Sequence, residues 1–350
     1  MNYENLTYAT CLVLFMLSVV SCGNTTAQSV SRVSSTPFVV DSTLQIKNIQ
    51  DLRIIEHSLY LTYDYVGGYG HQMLCSYDID YNNTLLKFRK TFFREENNYY
   101  SIFAPVSFWD NNGNMYVVER DQPYINIISN DTILRTSKAL MSNNARTPYE
   151  MVLEAKQAFY KSPDEYYFIG RQPMSGIQAI YHSDNHNSQP IVTEIRKLIF
   201  DERYPSWILN HGKFSYNHKK KMGVYAFQMF PAIQIYDFIN SLDKTVIVAI
   251  ESFDYTTISE ADVWEANPIQ FKDISTTDNY IYALYWGLKA SDMDKKHSDG
   301  TAETKVVKCD WQGNILETYV INKRLQAFCV SDDDKRIIAY DGNDFLLINL

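Results

Sequence analysis

Short β-prone runs, each led by a polar turn, recur along most of this chain. The clearest are EHSLYLTY (56–63), NNGNMYVVE (111–119), SPDEYYFIG (162–170), NHKKKMGVYAF (217–227), TTDNYIYALYW (276–286) and DDDKRIIAY (332–340). Tyr, Ile, Val and Phe dominate them, and such residues favour pleated, half-buried surfaces. With Tyr60, Tyr116, Tyr167, Tyr225, Tyr282 and Ile338 taken as equivalent, the intervals are 56, 51, 58, 57 and 56 residues. A period of this length belongs to a blade array, since a β-helix repeats over a much shorter distance.

Each run has strand-like neighbours. QDLRII (50–55), PVSFWD (105–110), KQAFYK (156–161), GKFSYN (212–217), FKDIST (271–276) and QAFCVS (326–331) precede the six runs. A third strand follows each, from MLCSYD (73–78) to FLLINL (345–350), and a fourth follows the first five. Six units of four strands predict an all-β, six-bladed β-propeller of antiparallel blades. The sixth unit ends on its third strand at Leu350, and FVVDSTLQI (38–46) is free to supply the fourth and close the ring. Closure removes an open sheet edge that would otherwise pair with other chains. Helix is scarce; a short one is expected around Tyr149–Ala158, and Lys289–Thr304 reads as a long polar loop, disordered or facing a partner.

The N-terminus has a different pattern. An apolar stretch from Leu12 to Val20 ends in Leu17-Ser18-Val19-Val20-Ser21-Cys22. It is too short to span a bilayer, which takes about 20 residues, but suits the apolar region of a secretory signal. Small residues before a Cys resemble a lipobox, with cleavage before Cys22 and lipid on its thiol. Met1–Thr10 has no Lys or Arg and carries Glu4, unlike the usual positive start. The expected divisions are a signal peptide over 1–21, a Ser/Thr-rich flexible tether over 22–37 and the propeller over 38–350.

Composition narrows the partners. Net charge is −9, and losing Glu4 with the leader leaves −8. An acidic body disfavours nucleic acid, whose binding rests on Lys and Arg neutralising phosphates. Beyond Cys11 and Cys22 there remain Cys75, Cys309 and Cys329. Their spacing matches no zinc site, and they read as small buried hydrophobes, a Cys309–Cys329 disulfide being allowed in an oxidising envelope.

Three stretches, GKFSYNHKKKMGVYAFQMFPAIQIYD (212–237), DISTTDNYIYALYWG (273–287) and KCDWQGNILETYVIN (308–322), together with the lipobox and the size, resemble the TolB-like six-bladed propeller lipoproteins of Bacteroidetes, the BF3164-type lipoprotein family. The resemblance covers nearly all of 38–350. It implies an envelope-anchored propeller, lipidated at Cys22 and held in the outer membrane, and supplies no catalytic set.

No nucleophile elbow, zinc-protease, Walker or dinucleotide motif is present. Gly67-Gly68-Tyr69-Gly70 reads as a loop, His182–His186 as an outer turn and Asp332–Asp334 as a hairpin turn. Propeller ligands gather where the innermost strands enter the central channel. Those positions include Glu154, Lys156, Asn210, His211, Lys213, Lys272, Asp273 and Gln326, with Glu154, His211, Lys213 and Asp273 the main ligand-binding candidates. Trp207, Phe230-Pro231 and Trp264 fall in connections, where aromatics pack between blades or anchor a partner. The resulting expectation is a lipid-anchored binding or scaffold module for a protein or glycan, on the periplasmic face. It has no assigned catalytic residue, metal or cofactor. The alternative is a divalent-metal-dependent hydrolase of lactonase type at the channel, using Glu154 and Asp273.

Overall fold

A computed structural model describes residues 29–42, 46–65, 72–92, 105–110, 112–119, 124–129, 132–141, 154–172, 174–248 and 250–350. The chain opens with three short strands, β1 (Ser29–Val33), β2 (Ser35–Pro37) and β3 (Val39–Asp41). Blade 1 follows as β4 (Ile46–Ile55), β5 (Ser58–Tyr65), β6 (Gln72–Asp80) and β7 (Leu85–Phe92), and blade 2 as β8 (Pro105–Trp109), β9 (Met115–Glu119), β10 (Tyr124–Ser129) and β11 (Thr132–Ala139). Blade 3 holds β12 (Ala155–Ser162), β13 (Glu165–Arg171), β14 (Gln178–Asp184) and β15 (Ile191–Lys197). Blade 4 holds β16 (Gly212–Asn217), β17 (Met222–Phe227), β18 (Ala232–Asp237) and β19 (Leu242–Ile247). Blade 5 consists of β20 (Ile269–Thr276), β21 (Ile281–Leu288), β22 (Thr304–Cys309) and β23 (Ile315–Ile321). In blade 6, β24 (Ala327–Val330), β25 (Arg336–Tyr340) and β26 (Phe345–Asn349) are joined by β2. Six antiparallel sheets in a ring make the six-bladed β-propeller that the repeat predicts.

Asp-centred turns supply the recurring punctuation. Asp110 Oδ1 accepts the amides of Asn112 and Asn114 at 2.8 and 2.9 Å, and Asp310 does the same for Gln312 and Asn314. Gly113 and Gly313 sit at the positive φ these turns need, +80° and +84°. Middle strands are buried on both faces: in MGVYAF (222–227) every residue after Met222 is buried. The apolar clusters of the described residues lie between neighbouring blades, one at each of the six seams.

Closure by the N-terminus holds, but by a different segment from the one expected. β2, at Ser35–Pro37, completes blade 6 with Thr36 opposite Leu347. Pro37, with no N–H to give, stands on the outermost strand where none is required. The adjoining residues then leave that blade: Phe38 N donates to Phe345 O at 2.8 Å, and Val39 N to Thr84 O at 2.9 Å. β3 thereby adds to blade 1 in parallel, and β1 adds in parallel to blade 5. Residues 29–37, expected as tether, therefore hold two strands, because the outer edges of blades 5 and 6 offer unpaired backbone groups. The cover shows in the burial: β23 is buried from Thr318 to Ile321, whereas the bare edge strand β19 is almost wholly exposed.

Other expectations change as well. Ala155–Ser162 is a strand, since its apolar residues pair with blade 3, and 149–153 lie outside the described residues. The expected loop at 289–304 contains the helix Ala290–Ser298, pinned by buried Met293. Cys75, Cys309 and Cys329 are all free and buried; Cys309 and Cys329 belong to different seams and form no disulfide. Residues 1–28, including the expected signal peptide and Cys22, and 66–70 with their glycines, lie outside the described residues.

Phe38 is 6% exposed and packs in the seam between blades 6 and 1, beside Leu59, Phe345 and Leu347. Phe38→Ala is expected to lower unfolding stability by about 3–5 kcal/mol, from lost transfer energy plus the cavity. Chemical denaturation monitored by tryptophan fluorescence checks this.

Candidate functional site

The innermost strands bring their first residues together around a cavity of about 550 Å³ at one end of the channel. Of the positions expected there, Lys156, His211, Lys213, Lys272, Asp273 and Gln326 line it. Glu154 does not; its carboxylate stands behind the wall, 3.5 Å from both Lys156 Nζ and Arg171 Nε. Asn210 is structural: its side chain accepts from Phe200 N and donates to the carbonyls of Tyr204 and Ser206.

Backbone irregularity explains how so many polar groups converge. In a regular strand successive side chains point to opposite faces. Here Gln50-Asp51, Lys156-Gln157 and Lys272-Asp273 are adjacent pairs, and both members of each line the cavity. Register shifts fall at Ile49/Asp51, Ala155/Gln157 and Phe271/Asp273, and such bulges re-aim one side chain toward the channel. In blade 4 Gly212 separates His211 from Lys213; a Cβ there would run into the carbonyl of Ala226, so the strands approach too closely for any other residue.

Hydrogen bonds order the wall. Lys213 Nζ donates to Gln50 O at 2.7 Å, bridging blades 4 and 1. His211 Nδ1 lies 3.0 Å from Gln228 Oε1, and its ring meets Trp264 edge-on at 5.6 Å. Lys272 Nζ lies 5.2 Å from the Trp286 ring centre. Gln178 is 3% exposed; its Oε1 accepts from Tyr225 OH at 3.0 Å, while its Nε2 has no protein partner. Reading the inner-strand starts alone misses Gln50, Asp51, Gln157, Gln178 and Gln228. The usable signal for the first three is the polar doublet that opens an otherwise apolar strand.

The aromatics divide. Trp264 is 38% exposed on the cavity rim, and Trp207, 39% exposed, lies beside Arg171; Phe230 and Pro231 are buried and serve packing. His182 and His186 pair with Glu165 and Asp184 at an outer turn. Asp334 accepts from Thr277 Oγ1 and Tyr282 OH, tying blade 6 to blade 5. A second cavity of about 600 Å³, lined by Arg53, Asp110, His218, Lys219 and Asp332 among others, opens at the far end, and Asp51 lines both.

Burial and the lysines set the charge states. Burial, then Lys156, hold His211 down at about 3, so its imidazole is neutral at physiological pH. Burial, then neighbouring Lys213, lower the ammonium of Lys272. Asp273 is pushed up to about 6 by burial, against the pull of Lys213 and the amides of Phe328 and Ile274. Because its folded value lies above the unfolded one, its contribution to stability is complete below about pH 4 and is lost as pH rises through 6. Asp273→Asn, which cannot ionise, is therefore expected to gain stability relative to wild type between pH 4 and 7. Denaturant unfolding of both proteins at the two pH values reads the difference.

Residues 208–333 match the family model described as TolB-like 6-blade propeller-like. No curated protein matches the chain. Among solved structures, it is similar to a member of the DUF4221 family from Bacteroides vulgatus at 12% identity and a TM-score of 0.54, over 91% of this chain and 96% of that one. A streptogramin B lyase aligns at 9% identity and 0.51, over 90% and 97%. A gluconolactonase from Xanthomonas campestris aligns at 8% identity and 0.51, over 87% of each chain. At these identities the likeness is one of fold. The chain is a six-bladed β-propeller that, over its fourth and fifth blades and into the sixth, is similar to the TolB-like propellers.

Proposed function

We propose that this protein is a lipid-anchored envelope propeller of the BF3164-type lipoproteins. In this reading Cys22 carries the lipid, and the body binds a protein or glycan partner at the mouth of its channel. The observation that carries the binding role is the convergence at one mouth of Lys156, Lys213, Lys272, a set of glutamine amides and half-exposed Trp264. Ligand sites are concave and use a few convergent polar groups to fix orientation. The lipobox supports the anchor, and the non-acidic residues after Cys22 support the periplasmic face of the outer membrane. The acidic net charge argues against a nucleic-acid partner.

A lactonase-type hydrolase would need carboxylates and amides sharing one divalent ion that activates water. The residues do not fit that ion. Among the described residues no three of His, Cys, Asp and Glu come together as ligands. Glu154 is engaged by Lys156 and Arg171, and the Asp273 carboxylate accepts the Phe328 and Ile274 amides while three lysines line the same cavity. Repulsion by three ammonium groups opposes a cation there.

Two measurements test this reading on the full chain purified from membranes without chelator. Elemental analysis is expected to give far less than one divalent ion per chain; a stoichiometric ion lost in Asp273→Asn would overturn the binding role in favour of the hydrolase. Palmitate labelling is expected at Cys22, with Cys22→Ser unlabelled and released from the membrane fraction. Unchanged fractionation of that variant would refute the anchor.

A further inference from the structure

The channel mouth carries a charge imbalance. Five charged side chains line it, Lys156, Lys213, Lys272, Asp51 and Asp273, leaving a surplus of one positive charge. Asp51 is already bridged by Arg53 at 2.8 Å and Lys156 is paired with Glu154 at 3.5 Å, so Lys213 and Lys272 face Asp273 as the remaining carboxylate of the lining. Lys213 and Lys272 line the same cavity, and burial, then Lys213, lower the ammonium of Lys272. An anion placed between them would relieve that repulsion.

A second, independent observation lies on the same wall. The Nε2 amide of Gln178 is buried without a protein partner, a state that is unfavourable unless something accepts from it. Gln157, by contrast, donates to Phe214 O at 2.7 Å, and Gln228 holds His211. Among the described residues, Gln178 has the one buried glutamine Nε2 left without a partner. Trp264 on the rim offers the third element. The residue is 38% exposed and lines the cavity, and its apolar ring is of the kind against which the C–H edges of a sugar ring can lie while its hydroxyls turn to amides.

We propose that this mouth binds an anionic saccharide. Its carboxylate or phosphate is held by Lys213 and Lys272, a hydroxyl accepts from Gln178 Nε2, and the ring lies against Trp264. The proposal deepens the binding-module reading and rests on it.

Isothermal titration of the full chain in detergent tests it with a matched set of probes: glucuronate, galacturonate and glucose 6-phosphate, against neutral glucose and galactose and against inorganic phosphate. At least one charged sugar is expected to bind about tenfold or more tightly than its neutral counterpart and than phosphate. Whether a uronate or the sugar phosphate binds best separates the carboxylate from the phosphate. Lys213→Gln and Gln178→Glu, the latter retaining the acceptor for Tyr225 while replacing the donor amide with a carboxylate, are each expected to weaken that binding about tenfold or more. Lys219→Gln, at the far end of the channel, is expected to leave it unchanged, with thermal melts showing all three folded. Equal affinity for neutral sugars, equal affinity for phosphate alone, no response to Lys213→Gln and Gln178→Glu in folded protein, or an acidic peptide binding in place of every sugar would each overturn the proposal. Those results leave the binding-module reading standing, since that reading falls on stoichiometric metal instead.

Discussion

The structure depends on the closing of its ring by thirteen residues at the N-terminal end of the described chain. A propeller buries its apolar surface between blades, so a ring open at one seam would leave two blade faces wet and two sheet edges unpaired. Here the seam between blades 6 and 1 is secured by a belt that reaches across three blades. β1 lies on blade 5, β2 completes blade 6 and β3 lies on blade 1. Ion and hydrogen bonds reinforce the start of the belt, where Arg32 meets Glu303 and Asn322. Phe38 fills the seam itself, and Tyr340 OH reaches Ile46 O across it at 3.1 Å.

The candidate site is a consequence of that closure. Its lining comes from the entry ends of the inner strands in all six blades, so its width is set by how the blades are held together. Three bulged strands then place consecutive polar residues on the channel side. The outcome is a mouth rich in lysine and amide groups, with carboxylates either withdrawn behind the wall, as Glu154 is, or tied to backbone amides, as Asp273 is. Similar architecture in a lyase and a gluconolactonase shows how widely this frame is shared and leaves the chemistry to the lining.

The architecture was legible because its signals are local. Turn residues at Asp110, Gly113, Asp310 and Gly313, and apolar runs of strand length at a near-constant interval, identify blades without any contact information. The six inner strands read from sequence are the observed ones, give or take a few end residues. The belt was legible only in outline. Ser35–Pro37 has three polar or turn-forming residues, and its strand state comes from the unpaired edge of β26 rather than from its own propensity. The same holds for the helix at Ala290–Ser298, whose polar sequence hides a single anchor, Met293. The site divided in the same manner. Position along the strand found Lys156, His211, Lys213, Lys272, Asp273 and Gln326, but the bulges that turn Gln50, Asp51 and Gln157 inward are backbone events. Gln178 opens the third strand of its blade, β14, away from the inner-strand starts, and is held by Tyr225 OH of the neighbouring blade. Glu154, just ahead of β12, is outside the lining and pairs with Lys156 and Arg171.

Native-state hydrogen exchange of the belt tests the closure most directly. The account predicts that the amides of Phe38 and Val39, bonded to Phe345 O and Thr84 O, exchange only with global unfolding, at the same free energy as the middle strands of blades 6 and 1. Exchange of those two amides at the rate of a frayed terminus, while β25 and β5 remain fully protected, would contradict it.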